Sequence, residues 1–380
     1  MNSFDIRTKI YFGDDALDRL IDIPYKKVMI ITDPFIAESG MLRLITDRLA
    51  QAFIEFKVFS DVVPDPPLEK IELGVKALLE CNPDAIITVG GGSAIDSAKS
   101  IREFGRRAGE KDIALIAIPT TSGTGSEVTS FAVVTDTENN IKYPLVSDAM
   151  LPTEAILDAE LVKSVPASVT ADTGMDVLTH AIEAYVSIKN NEFSAALAEK
   201  AIEICGTFLL RSYLDNNDRH ARKKMHVASC LAGLAFNSAS LGLNHGIAHA
   251  LGGRFHIPHG RANAIVLPHV IEFNSDINKH SKSKKEYPKC VEKYCNVAKL
   301  LGVNNFNEIT TIRALVGWIQ FMNKEMNIPL SVSQCGVDKH EYMNAVESMA
   351  EKAIADSCTA TNPRVPTKSD VCLILEHLYD

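Results

Sequence analysis

The chain has 380 residues, of which 46% are hydrophobic and 23% charged, and its formal net charge is −9. At roughly 150 residues per domain, that length favours two domains or one large one. The composition excludes disordered, collagen-like and coiled-coil architectures, and the acidic balance argues against nucleic acid, no block of Lys or Arg standing out except the short Lys282-Ser283-Lys284-Lys285 run.

In chain order, Met1–Tyr11 alternates polar and apolar residues and lacks the apolar core of a secretory signal, so a cytoplasmic protein is expected. Val28–Thr32, Ile54–Ser60, Ala85–Val89, Ile113–Ile118 and Val133–Thr135 read as strands, and none approaches the roughly 20 residues of a membrane-spanning helix. Leu68–Cys81 and Ala94–Arg107 carry apolar residues at helical spacing. This β-α-β-α order predicts a doubly wound, Rossmann-like α/β domain with a mainly parallel sheet over residues 1–160. After Pro166, stretches such as Glu192–Tyr213, Ala221–Ser240, Ile309–Met326 and Lys339–Ala355 read as helices, which predicts an all-helical domain over 161–380.

Chemistry-bearing residues cluster in both halves. The strand Ala85–Val89 runs into Gly90-Gly91-Gly92-Ser93 and a helix carrying Asp96 and Lys99, a turn whose backbone N–H groups and helix N-terminus suit a diphosphate. It is neither G-x-G-x-x-G nor a P-loop, because Ala98 stands where that motif needs glycine. A second turn, Pro119-Thr120-Thr121-Ser122-Gly123-Thr124-Gly125-Ser126, follows the next strand, and two adjacent turns argue for an extended nucleotide. Asp33, just past the first of these strands, could accept hydrogen bonds from an adenosine ribose and would repel a 2′-phosphate, which favours NAD over NADP.

In the second half, Asp176 and His180 lie four apart in Ala171–Tyr185, roughly 40° apart around a helix axis, and His245 and His249 repeat the spacing. His259 follows in Pro258-His259-Gly260. A carboxylate with several imidazoles suits Fe(II) or Zn(II). Gly246 stands where a metalloprotease H-E-x-x-H needs glutamate. Eight scattered cysteines with no C-x-x-C pair signal neither a zinc ribbon nor a disulfide framework.

Together, Gly90-Gly91-Gly92-Ser93 with Asp96 and Lys99, Pro119 through Thr124, Gly174-Met175-Asp176 with His180, Asn244-His245-Gly246 through His259-Gly260, and Asn362-Pro363-Arg364 resemble the iron-containing alcohol dehydrogenases. Within that family, Ile141-Lys142-Tyr143-Pro144-Leu145 and Gly174–Glu183 resemble the 1-propanol dehydrogenases of propanediol utilisation. The resemblance implies one divalent metal, usually Fe(II) with Zn(II) as the alternative, held by Asp176, His180, His245 and His259. It places His249 near a nicotinamide instead of on the metal, and proton movement could then run through water, a ribose hydroxyl or His249. Gly91, Gly92 and Ser93 would bind the diphosphate of NAD(H), Thr120, Thr121 and Thr124 its adenine and ribose side, Lys142 the nicotinamide ribose and Asp33 the other ribose. Asp65 departs from the family, whose loop there often carries Asn.

The expected activity is reversible hydride transfer between NAD(H) and a short primary alcohol or its aldehyde, with the site in a cleft between the domains. Phe131 and Phe255 are candidates for an apolar wall around the substrate. A homodimer or larger homo-oligomer is the family's usual state, and enclosure in a bacterial microcompartment stays open. The alternatives are an NAD- and metal-dependent lyase resembling dehydroquinate synthase, whose anionic substrate needs basic side chains that the motifs lack, and a non-catalytic protein that binds metal and nucleotide.

Overall fold

The computed structural model describes residues 4–109, 112–137, 141–276 and 288–380, and the Lys282–Lys285 run lies outside them. The chain separates into two compact units, Met1–Ser164 and Val165–Asp380.

In the first unit the strands are β1 (Lys9–Phe12), β2 (Lys27–Thr32), β3 (Glu55–Phe59), β4 (Ala85–Gly90), β5 (Ala114–Pro119), β6 (Phe131–Asp136), β7 (Ile141–Val146) and β8 (Glu154–Leu157). They are joined by α1 (Pro34–Glu38), α2 (Arg43–Gln51), α3 (Leu68–Cys81) and α4 (Gly92–Arg107). Six strands form one parallel sheet in the order β1-β8-β5-β4-β2-β3. Both faces are covered, as the continuous apolar runs predict. Val28 and Ile30 of β2 pack with Ile36, Ile45 and Leu49 on one side. Met29 and Ile31 pack with Ile71, Leu78, Ala98 and Ile101 on the other.

The expectation that Val133–Thr135 joins this sheet is corrected, because β6 pairs antiparallel with β7 in a separate two-stranded ribbon. A parallel neighbour needs a crossover of a dozen or more residues, usually a helix, and only the single 3-10 turn Ser126–Val128 stands between β5 and β6. β1 and β8 carry no clear sequence signal, since four residues each are too few to display an alternation.

The second unit consists of α5 (Ala167–Val186), α6 (Glu192–Leu214), α7 (Arg219–Ala239), α8 (Leu243–Phe255), α9 (His259–Ser275), α10 (Pro288–Leu300), α11 (Glu308–Glu325), α12 (Lys339–Ala355) and α13 (Lys368–His377), with no strand among its described residues. α6 and α11 each start at an asparagine capping box, Asn191 with Ser194 and Asn307 with Thr310. α8 is buried along most of its length against α9, α12 and α13 through Leu243, Ile247, Leu251, Ile265, Tyr342 and Leu375. Among the described residues no single helix is long and apolar enough to cross a membrane.

Burial in this helical unit has a pH signature. His226 on α7 is 2% exposed, and desolvation lowers its imidazole from 6.5 to about 4. The unfolded chain therefore binds a proton between those values that the folded chain refuses, so this contribution is fully present above pH 6.5 and lost as the pH falls towards 4. At 1.36 kcal/mol per pKa unit the loss is about 3 kcal/mol. His226→Gln should flatten the pH dependence of the urea midpoint between pH 6.5 and 4, and an unchanged slope would assign the acid sensitivity elsewhere.

Candidate active site

The strand order of the first unit reverses between β2 and β4, since the chain runs from β2 out to the edge strand β3 and returns to β4 before continuing to β5. Ligands of open parallel sheets bind at the carboxyl ends of strands at such a reversal. Thr32 of β2 pairs with Val89 of β4, so Asp33 and Gly90 leave the sheet side by side. Asp33 Oδ1 accepts the Ile36 N–H at 2.9 Å as the N-cap of α1, while its Oδ2 lies 3.5 Å from where a Cβ on Gly90 would stand. The carboxylate thus caps a helix and also faces the glycine turn.

Gly91 is the N-cap of α4, and no side chain caps that helix, which leaves its first-turn N–H groups to an anionic ligand. The second turn lies against the first: the Thr120 N–H donates to the Gly90 carbonyl at 2.9 Å, and Gly91 faces Thr121 Oγ1. A Cβ on Gly92 would come within 2.8 Å of Thr124 Cγ2, so only glycine allows that approach. Asp96 and Lys99 brace the pair from beneath. Asp96 accepts from Ser126 Oγ at 2.6 Å and from the Val133 N–H at 3.0 Å, so both of its oxygens are engaged within the unit. Lys99 Nζ donates to Ser126 Oγ, Thr129 Oγ1 and the Phe131 carbonyl at 2.9, 3.1 and 2.8 Å. Burial lowers Lys99 to about 8, against the pull of Asp96 and Glu127. Lys142 is in register with Thr135 in the β6-β7 ribbon, and its side chain lies outside the described residues. Asp65 has φ +49°, a conformation that Asn and Asp tolerate better than most residues, so the departure keeps the turn.

In the second unit Asp176 and His180 from α5, His245 from α8 and His259 at the start of α9 bring one ligand atom each to within 4.8 Å of one another. Nε2 of His180, His245 and His259 lies 3.9, 3.8 and 3.5 Å from Asp176 Oδ1. His259 is the first residue of α9, and Gly260 explains how it arrives. A Cβ there would stand 2.1 Å from the Asp172 carbonyl, so its absence lets α9 close on α5.

The donor set fits a divalent cation on its own geometry. One amide nitrogen, Asn263 Nδ2, reaches Asp176 Oδ1 at 2.6 Å, His245 Nε2 at 3.1 Å and His259 Nε2 at 3.2 Å, so three lone pairs aim at a common point. His245 is held well below its ordinary pKa, chiefly by burial and then by the neighbouring histidines, and is a neutral donor. Three imidazoles and one carboxylate, largely buried, are suited to Fe(II) or Zn(II).

Residues that the sequence reading did not single out hold this set. Glu183 Oε2 bonds His245 Nδ1 and its Oε1 accepts the Asn244 N–H at 2.8 Å, which turns His245 Nε2 towards Asp176. Burial lifts the Glu183 carboxyl to about 8, against hydrogen bonds from the backbone of Asn244, His245 and Gly242. Asn244 Nδ2 in turn holds Asn263 Oδ1 at 2.8 Å. Glu183 shares the inward face of α5 with Asp176 and His180 at i, i+4 and i+7, and that spacing was the available signal. Phe236 stacks on His180 at 4.6 Å. Phe255, expected near the substrate, instead packs on Tyr342 at 5.6 Å in the core of α8 and α12. The Asn362-Pro363-Arg364 segment is structural: Asn362 Oδ1 accepts the Leu243 N–H at the start of α8, and Arg364 lies 4.0 Å over the Phe273 ring.

Comparison with known proteins covers both units. Residues 7–159 match the iron-containing alcohol dehydrogenase family, and residues 170–379 match the C-terminal part of the same family. The 1-propanol dehydrogenase PduQ of Citrobacter freundii is 43% identical over 380 residues, covering all of both chains. The solved structure of a 1,3-propanediol oxidoreductase superposes with a TM-score of 0.89 at 32% identity, again over the whole of both chains. Sulfoacetaldehyde reductase from Bifidobacterium kashiwanohense, solved in complex with NAD+, gives a TM-score of 0.85 at 25% identity, covering 100% of this chain and 98% of that one. With both units matched and a full-length relative at 43% identity, the chain belongs to the iron-containing alcohol dehydrogenase family of oxidoreductases.

Proposed function

We propose that the chain catalyses reversible hydride transfer between NAD(H) and a short-chain primary alcohol or its aldehyde, with 1-propanol and propanal as the substrate pair. The observation that carries this reading is the convergence of Asp176 Oδ1 with Nε2 of three histidines within 4.8 Å. The 43% identity to a 1-propanol dehydrogenase supports the substrate, and the likeness to a structure solved with NAD+ supports the cofactor. When bound, the divalent ion supplies Lewis acidity towards the alcohol oxygen, and the nicotinamide supplies the hydride acceptor.

The chain's own residues have distinct tasks. Asp176, His180, His245 and His259 hold the ion. The N–H groups of Gly91, Gly92 and Ser93 bind the diphosphate, Thr120, Thr121 and Thr124 the adenine and ribose side, and Lys142 the nicotinamide ribose. Asp96 and Lys99 keep the two turns together. His249, 44% exposed, accepts the hydroxyl proton. The reading carries with it a cytoplasmic homodimer or larger homo-oligomer as the working form.

The direct test follows absorbance of NADH with C2 to C5 alcohols on Fe(II)-loaded, Zn(II)-loaded and metal-stripped protein. Alcohol-dependent NADH formation that is lost on stripping and restored by Fe(II) is expected, whereas none with either metal would overturn the reading. Glu183→Gln should weaken metal affinity by roughly 10- to 100-fold, read by competition with a chelator. Asp33→Ser keeps a helix cap and removes the negative charge beside the ribose. It should raise the NADP-to-NAD ratio of kcat/KM by about tenfold, or about 1.4 kcal/mol, on the scale of one charge pair near a surface. An unaltered ratio would remove Asp33 from cofactor selection.

A further inference from the structure

His245 and His249 stand one turn apart on the same face of α8, and each ring is gripped at Nδ1 by a carboxylate from a different element. For His245 the partner is Glu183 of α5, and for His249 it is Asp356, the residue that terminates α12, with Oδ2 at 2.8 Å. An ionised carboxylate only accepts, so Asp356 takes the Nδ1–H of His249 and leaves the lone pair on Nε2. The outcomes differ because the surroundings differ. The His245 side chain is 1% exposed and its Nε2 joins the cluster around Asp176. The His249 side chain is 44% exposed and is not among the four that converge there, although its ring lies flat against His259 at 5.3 Å and edge-on to His245 at 5.8 Å.

Asp356 is itself fixed. Its Oδ1 accepts the Cys358 N–H at 2.8 Å, and the Cys358 thiol also donates to the carboxylate. The backbone leaves α12 at ψ 135°, which points the following turn across α8. That turn is anchored by Thr359 Oγ1 on the Ala353 carbonyl and Thr361 Oγ1 on the Leu241 carbonyl, each at 2.6 Å. Burial works against ionisation of Asp356, but the hydrogen bond and charge of His249 and the Cys358 contacts outweigh it and hold the carboxyl below its ordinary range.

We propose that Asp356 is a positioning residue for catalysis, holding His249 in one tautomer and one orientation so that Nε2 is the proton acceptor for the alcohol. The proposal rests on the alcohol dehydrogenase reading and deepens it. In the oxidising direction the hydroxyl O–H bond breaks and its proton forms a bond to His249 Nε2. With NAD+ bound, the nicotinamide would accept the carbinol hydrogen with its electron pair, which balances the step as aldehyde and NADH. The imidazolium then returns the proton to water at its exposed edge, and Asp356 stays a carboxylate throughout. The same carboxylate-imidazole pairing is therefore used twice on one helix, buried to aim a metal donor and open to aim a base.

A double-mutant cycle on the metal-loaded full-length enzyme tests this. Asp356→Asn should lower kcat for 1-propanol by about 10²-fold, in the range of general base catalysis, with KM for NAD+ changed less than about threefold and metal stoichiometry unchanged. In a His249→Gln background the same substitution should change kcat by less than about twofold. Asp356→Glu, which keeps the carboxylate, should recover part of the rate. Independently of activity, 15N NMR should report the Nδ1–H tautomer of His249 in the wild type and a mixture in Asp356→Ala. An undiminished kcat in Asp356→Asn, an equal loss with and without His249, or an unchanged tautomer would each overturn the role of Asp356. A wild type that forms no NADH from alcohol would overturn the alcohol dehydrogenase reading itself, whatever the tautomer shows.

Discussion

Three imidazole nitrogens aimed at one carboxylate oxygen form a concentration of lone pairs that the helical unit must hold together. Such a set is stable when a positive charge satisfies it, and much of the surrounding packing keeps the four donors in place until one does. α5 supplies two of them by simple periodicity. α8 supplies the third, with its ring orientation taken from Glu183, and α9 supplies the fourth by approaching so closely that residue 260 has no room for a Cβ. The buried asparagines Asn244 and Asn263 tie α8 to α9 and carry the one amide that reaches three of the donors. Desolvation keeps His245 neutral, which is the protonation state a ligand needs.

The first unit solves the opposite electrostatic problem. It offers hydrogen-bond donors to an anion and uses backbone to do so, at a helix start without a side-chain cap and beside a second turn rich in hydroxyls. The cation nearest these turns by sequence, Lys99, is spent internally on Ser126, Thr129 and the Phe131 carbonyl. An anion at these turns would meet N–H groups and the helix dipole, with Lys99 and Asp96 acting as struts between the turns.

The strands and crossover helices of the sheet were legible because continuous apolar runs and helical periodicity alternate plainly through residues 28–118. Val133–Thr135 was read together with that sheet, whereas it pairs with β7, since so short a run carries no information about its partner. In the site, the i, i+4 pairs Asp176/His180 and His245/His249 were visible, and Glu183 could have been added by continuing the same face. Asp356 could not. It contacts His249 across 107 residues of sequence, at the end of a helix whose own pattern gives no sign of it.

The sequence by itself determined the donor types, their spacing along each helix and the glycine turn, because these follow from the 3.6-residue period and from which residues tolerate a strand-to-helix bend. Only the tertiary structure decided what each histidine is for. His245 and His249 are equivalent along their helix, and they diverge because the buried ring of one meets Glu183 beside Asp176 and the exposed ring of the other meets the half-buried Asp356. Position around a helix axis sets direction, whereas convergence of donors from α5, α8 and α9 is a distance between helices, and packing sets that.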